Sequence, residues 1–328
     1  MTKRKILLLC GGGGAEHSIS LLSADYIESQ LLLIDDISVI RVTIEDGSWT
    51  LASGESCFID MNKMLNLSDG EKYAIDYVIP CIHGFPGETG DLQSLFDMVG
   101  LAYLGCNAES STLCFNKISS KLWFDAVNID NTPYLFLSDK SDVSIKQATA
   151  FFEQWGKVFV KAASQGSSVG CYCVEELVEL VPTINEAFNY SEQVLIEKAV
   201  TPRELEVAAY EFQGKLIVTK PGEVCSPDNA FYSYEEKYSS DSHSSTVLEA
   251  TNLTDEQLAI IDKAARHAFT QLKLSDLSRI DFFLTEEGEI LLNEINTFPG
   301  MTPISMFPKL MENNGHQFKD FLEQAIKS

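Results

Sequence analysis

Short apolar runs, separated by glycine-rich and polar breaks, divide the chain into alternating strand and helix signals. The run Ile6-Leu7-Leu8-Leu9 ends at Gly11-Gly12-Gly13-Gly14 and reads as a buried strand over residues 5–10, with a helix over 16–31 after it. Strands over 38–44 and 76–82, a helix over 90–99 and a short strand at 102–104 before Gly105 continue the alternation. Elements in this order imply a parallel sheet covered by helices, with ligands gathered at the carboxyl ends of its strands. A helix over 110–128, a strand over 134–137 after Pro133 and a helix over 144–155 follow. Runs at 157–162, 170–174, 193–198, 204–212 and 215–220 then resemble antiparallel rather than parallel pairing. The expected class is α/β, turning to α+β in the C-terminal part. The segment from Cys225 to Ser245, rich in Ser, Asp and Tyr, is too long for an ordinary connection and reads as a lid.

Composition narrows the class. At 328 residues, 45% hydrophobic and 22% charged, the chain is globular material for two or three domains. Its 24 basic and 48 acidic residues give a net charge of −24, which opposes binding to nucleic acid or to anionic membranes. An anionic substrate would need a local cluster of Lys and Arg. No apolar run approaches the roughly 20 residues of a spanning helix. Lys3-Arg4-Lys5 before Ile6 mimics the start of a signal peptide, but the apolar segment is too short. The eight cysteines show no CxxC pair and no zinc spacing, so reduced thiols in a cytoplasmic protein are expected.

The richest candidate chemistry lies in Arg279-Ile280-Asp281-Phe282-Phe283-Leu284 and Glu289 to Asn296, two strand signals joined at Glu287-Gly288. Alternation puts Arg279 and Asp281 on one strand face, and Glu294 and Asn296 on one face of the other. A two-residue loop at Glu287-Gly288 would oppose Asp281 to Glu294 and Arg279 to Asn296, with Cβ atoms about 5 Å apart. Two carboxylates that close need a cation between them. With the Asn296 carboxamide they form a hard oxygen site suited to Mg²⁺. The competing reading is an acidic protein placing acids on an exposed hairpin, or a turn slipped by one residue; flanking Ile280, Phe282, Leu284, Leu291 and Ile295 favour strands packed on a core.

Other segments carry weaker signals. Gly11 to Gly14 resembles a dinucleotide fingerprint, but Glu16 or His17 falls where the third glycine belongs, and an acid there opposes a pyrophosphate. Glu16 suits an ammonium group, or simply complements a helix dipole. Val158-Phe159-Val160-Lys161 followed by Gln165-Gly166-Ser167-Ser168-Val169-Gly170 is a lysine-ending strand and a flexible loop, either a phosphate cover or a plain hairpin. Lys117 and Lys161 are isolated cations. His83, in His83-Gly84-Phe85-Pro86-Gly87-Glu88, stands at a strand end before a turn and could serve packing or catalysis.

In combination these segments resemble the D-alanine-D-alanine ligases of the ATP-grasp superfamily, with matching motifs from Cys10 to Ser305. The set includes Glu16-His-Ser-Ile-Ser, His83 through Glu88, Asn-Lys117, Lys161 through Gly170, Ile-Glu197-Lys198, Arg-Glu204-Leu-Glu-Val, Lys237-Tyr238, Arg279-Ile-Asp281 and Asn-Glu294-Ile-Asn296-Thr-Phe-Pro-Gly300. The resemblance implies an ATP-grasp fold. An N-terminal parallel α/β domain (1–108) would precede two α+β subdomains (109–199 and 200–328, with the lid) that clamp ATP. It also implies conversion of two D-alanines and ATP to the dipeptide, ADP and phosphate through an acyl phosphate.

The implied roles follow position by position. Lys117 and Lys161 would bind the nucleotide phosphates, Ser167 and Ser168 would stand in the covering loop, Glu197 and Lys198 along the adenine, and Glu204 at the ribose. Asp281, Glu294 and Asn296 would hold two Mg²⁺ ions, with Mn²⁺ as a substitute. Arg279 and the Gly300 backbone N–H would stabilise the oxyanion. Glu16 would pair with the first ammonium, assisted by His83. Lys237 and Ser305 would hold the second carboxylate or the transferred phosphate, and Glu16, Ser167 and Tyr238 would link the site to the lid. Thr89, Ala162 and Phe298 depart from common family residues, and none carries a charge assigned to chemistry. Tyr238 marks dipeptide-forming members, which favours D-alanine over D-lactate as second substrate. The partners implied are D-alanine, ATP and a second copy of the chain in a homodimer.

Overall fold

The computed structural model describes residues 3–225 and 245–327. The strand Arg4–Gly11 lies between Ile37–Glu45 and Tyr77–Pro80, parallel to both, and Ser48–Leu51 adds an antiparallel edge. Its apolar run is continuous because both faces are covered. Ile6 and Leu8 pack with Ala24, Ile27 and Leu31 of the helix His17–Leu31, whereas Leu7 and Leu9 pack with Leu92, Phe96 and Val99 of the helix Asp91–Val99. A small antiparallel sheet of Cys57–Ile59, Met64–Leu67 and Lys72–Ala74 has no counterpart in the sequence assignments.

Two expected elements take another form. Residues 102–104 contribute one bridge, Tyr103 to Val78, rather than a strand. The helix expected over 110–128 is two helices, Ala108–Phe115 and Lys117–Ala126. Asn116 makes the break: its extended backbone ends the first helix and its side chain accepts the Ser119 N–H to cap the second. That break places Lys117 at a helix start facing the loop at 163–165, where its own N–H donates to Ala163 O (2.8 Å).

The later strands are antiparallel, as expected, but form two sheets. One runs in the order Cys171–Val174, Val158–Ala162, Val194–Lys198, Tyr134–Leu137. The other carries Ser245–Val247, Gly222–Cys225, Arg203–Phe212, Leu277–Leu284 and Ile290–Asn296, with Lys215–Val218 paired to Arg203–Phe212. Cys225 pairs with Ser245, so the ends of the segment read as a lid meet; residues 226–244, including Lys237 and Tyr238, lie outside the described residues. Helices Leu177–Ala187 and Asp255–Gln271 were not anticipated. Pro182 inside the first obscures its pattern, while Thr254 and Gln257 form a capping box at the start of the second. Among the described residues no helix is long and apolar enough to cross a membrane.

Candidate active site

The hairpin opposes Asp281 to Glu294 and Arg279 to Asn296, by a route that the turn spacing does not predict. Thr285 closes on Glu289, its N–H donating to Glu289 O at 3.0 Å, so the loop is Glu286-Glu287-Gly288, with Gly288 at φ 88°. The longer loop shifts Leu284 onto Ile290 and Phe282 onto Leu292. A bulge between Asp281 and Phe282, where Asn293 is the extra residue, restores the pairing. Without it Asp281 would face Asn293, and Glu294 would turn to the other side of the sheet.

On the opposite flank, Glu206 of Arg203–Phe212 pairs with Asp281, so Glu206, Asp281 and Glu294 form an acidic row across three strands. The Arg279 guanidinium offsets it. Nε and Nη2 donate to the two Asp281 carboxylate oxygens at 2.8 and 2.7 Å, and Nε lies 3.3 Å from Glu206 Oε2. Burial alone would make this guanidinium easier to deprotonate, but Asp281, Glu206 and Glu294 hold its pKa well above the ordinary arginine value. Asn296 Nδ2 donates to Asp281 at 3.0 Å. Among the described residues no three His, Cys, Asp or Glu side chains are arranged as a metal cluster. The set here is two carboxylates and one carboxamide, and Asp281 is turned to Arg279. Hard oxygen donors opposed across a strand pair fit Mg²⁺.

Glu16 occupies the N-cap position of His17–Leu31, but its side chain makes no capping hydrogen bond. Its carboxylate instead accepts the Ser167 hydroxyl from the loop after Lys161. That loop is tightly wound: Ser167 and Ser168 sit at φ 49° and 61°, a left-handed region costly to residues other than glycine. Gly166 beside them leaves room for the Glu16 carboxylate, since a Cβ there would lie 2.5 Å from Glu16 Oε2. Gly166→Ala is therefore expected to displace the Glu16 carboxylate and break its hydrogen bond with Ser167, with the melting temperature little changed. A structure of the variant and its thermal melting curve check this.

Lys117 Nζ donates to Gln165 O at 2.7 Å and stands 3.9 Å from Glu294 Oε2, joining the loop to the acidic row. Lys161, opposite Cys171, pairs with the buried Glu197.

His83 is buried, and both ring nitrogens face protein. Phe298 O is an acceptor 3.1 Å from Nδ1, and Nε2 lies 3.0 Å from Ser23 Oγ, which itself accepts the Met301 N–H at 3.1 Å. The consistent assignment is neutral His83 with its proton on Nδ1 and the Ser23 hydroxyl donating to Nε2. Burial lowers the His83 pKa, which preserves that state, although the Glu16 charge opposes the shift. Glu88 accepts the Gly84 N–H at 2.8 Å and a backbone N–H of Phe298; burial, then the charge of Glu16, pushes its pKa up to about 8. His83 and Glu88 thus hold the backbone C=O and N–H of Phe298, in the loop that carries Gly300.

One cavity of about 1150 Å³ collects these groups. Glu16, His83, Lys117, Lys161, Ser167, Ser168, Glu204, Arg279, Asp281, Glu294, Asn296, Gly300 and Ser305 all line it. Ser305, at the N-cap of the helix Met306–Asn313, accepts the Thr302 N–H at 3.1 Å. Glu197 and Lys198 stand elsewhere: Glu197 is buried behind Lys161, and Lys198 is exposed at its strand end. Glu206 and Glu88 are among the lining residues that escaped sequence reasoning. Glu206 is two residues from Glu204 on the same strand face, and Glu88 belongs to the turn that begins at His83, so both were within reach of alternation and spacing.

The chain is similar to known proteins over nearly its whole length. Family models described as the D-ala D-ala ligase N-terminus and C-terminus match residues 5–106 and 123–327. The D-alanine–D-alanine ligase of Vibrio atlanticus is 60% identical over 328 residues, covering 100% of this chain and 99% of that protein. The crystal structure of D-alanyl-alanine synthetase A from Vibrio cholerae superposes with a TM-score of 0.95 at 57% identity, covering 100% of this chain and 98% of that one. The D-alanine-D-alanine ligase structure from Aeromonas hydrophila gives 0.85 at 53%, covering 98% of this chain and 99% of that one. The chain belongs to the D-alanine–D-alanine ligase family.

Proposed function

We infer that this protein joins two D-alanine molecules to D-alanyl-D-alanine with conversion of ATP to ADP and phosphate, supplying the dipeptide for peptidoglycan synthesis. The observation that carries this reading is the single cavity in which Lys117 and Lys161, Arg279 and the Asp281–Glu294 pair converge with Glu16. A carboxylate acylates an amine poorly, and phosphorylation gives it a leaving group. Lys117 and Lys161 orient the nucleotide phosphates for attack by the first D-alanine carboxylate, forming D-alanyl phosphate. Asp281, Glu294 and Asn296 would hold Mg²⁺, which when bound neutralises charge on the transferring phosphate.

Glu16 receives the first ammonium, and Ser167 orients its carboxylate through their hydrogen bond. The second D-alanine amine then attacks the acyl phosphate. Arg279 and the Gly300 N–H offer donors to the developing oxyanion, and Ser305 to the second carboxylate. His83 acts by fixing the Phe298–Met301 loop rather than by moving a proton, because both its nitrogens are engaged. Domain limits at 108 and 199, a homodimer and a cytoplasmic setting belong to the same proposal. The test is formation of D-alanyl-D-alanine from D-alanine, ATP and Mg²⁺, with one phosphate released per dipeptide.

A further inference from the structure

Behind Lys161 lies a buried charge cluster that the reaction does not contact. Glu197, 2% exposed, directs one carboxylate oxygen to Lys161 Nζ and the other to Lys121 Nζ at 2.6 Å. Lys121 is also 2% exposed. Its ammonium donates to Asn131 Oδ1 and Thr132 O, both at 3.3 Å, beside the ion pair with Glu197, so these contacts all lie inside the protein. Lys117 and Lys121 are four residues apart on the helix Lys117–Ala126, yet Lys117 lines the cavity and Lys121 does not.

Buried ion clusters are expensive to desolvate and are weak grounds for stability by themselves, so a role beyond stability is the question. The charges sum to one excess positive charge, and Lys161 is the member with access to the cavity, its side chain 13% exposed. Glu197 with Lys161 alone would cancel. Lys121 absorbs half of the Glu197 carboxylate and so leaves the charge of Lys161 available across the cavity. The shifts agree with the geometry. Burial would raise the Glu197 pKa, but Lys121 and Lys161 hold it well below the ordinary carboxylate range. Burial lowers that of Lys121, opposed chiefly by Glu197.

We propose that Lys121 is a positioning residue for ATP: through Glu197 it fixes Lys161 and preserves the net positive charge that Lys161 presents to the nucleotide phosphates. This rests on the assignment of Lys161 to those phosphates. K121M keeps the length of the side chain and removes its charge, cancelling the excess. Calorimetric titration with Mg²⁺-ATP in the absence of D-alanine should show roughly tenfold weaker binding, and KM for D-alanine should stay within about twofold of wild type. The double variant K121M/E197Q restores the charge sum and should recover ATP affinity to within roughly threefold of wild type. A merely structural Lys121 predicts a lower melting temperature in K121M with Mg²⁺-ATP affinity unchanged, because the less compensated Glu197 charge would then cost stability and not binding.

Wild-type ATP affinity in K121M, or a double variant no better than the single one, would overturn the proposal. Should K121M fail to fold, the double variant decides alone, with a tenfold loss of ATP affinity counting against it. K161M separates the layers. Unchanged ATP binding there removes the phosphate assignment and the proposal with it, whereas a loss in K161M beside wild-type binding in K121M removes the proposal only.

Discussion

Arg279→Met is expected to lower kcat by roughly 10²–10³-fold, the usual effect of deleting one donor to a developing oxyanion. KM for the first D-alanine should change little, since Glu16, the group proposed to receive that ammonium, lies on another element. Removing the guanidinium also takes away its hydrogen bonds to both Asp281 oxygens, leaving that from Asn296, and takes a positive charge from the Glu206–Asp281–Glu294 row. Three carboxylates would then face one another with less to offset them. The metal-free variant should therefore melt at a lower temperature than wild type, and added Mg²⁺ should raise its melting temperature by more. Thermal scans with and without Mg²⁺, beside single-turnover kinetics, check both halves. A variant that loses turnover but gains nothing extra from Mg²⁺ would show that Arg279 does not screen the metal ligands.

Glu294→Gln carries the second large effect. It removes one charge from the pair opposed to Asp281 at nearly constant shape, and turnover at saturating ATP should fall by about 10²-fold or more. The Mg²⁺ concentration for half-maximal rate should rise. Stability should barely move, because the Glu294 side chain is about one-third exposed, at 32%, and its ion pair with Lys117 is long at 3.9 Å. Wild-type turnover with an unchanged Mg²⁺ dependence would remove Glu294 from the ligand set.

These two residues show how far the sequence carried. Alternation placed Asp281 and Arg279 on one face, and Glu294 and Asn296 on another, from composition and spacing alone. Their pairing survived a wrong loop length only because the bulge at Asn293 compensated, and a bulge in the middle of a strand leaves no mark that period-two reasoning can read. The parallel sheet was legible because its central strand is apolar on both faces. The helix break at Asn116 was not separated from its surroundings, although an Asn between two apolar stretches is an N-cap signal. The carboxylate of Glu197 was harder. Its strand, Val194–Lys198, is inside its sheet, and only the fold shows that the side chain turns to Lys121 and Lys161 instead of the cavity. Long-range grips such as His83 and Glu88 on the Phe298 backbone join residues more than 200 positions apart, beyond any local pattern.

The most direct measurement is product formation with each alanine enantiomer. Purified protein with ATP, Mg²⁺ and D-alanine should yield D-alanyl-D-alanine with one phosphate released per dipeptide, and L-alanine should give little of either. Equal phosphate release with both enantiomers, or phosphate without dipeptide from D-alanine, would contradict the account.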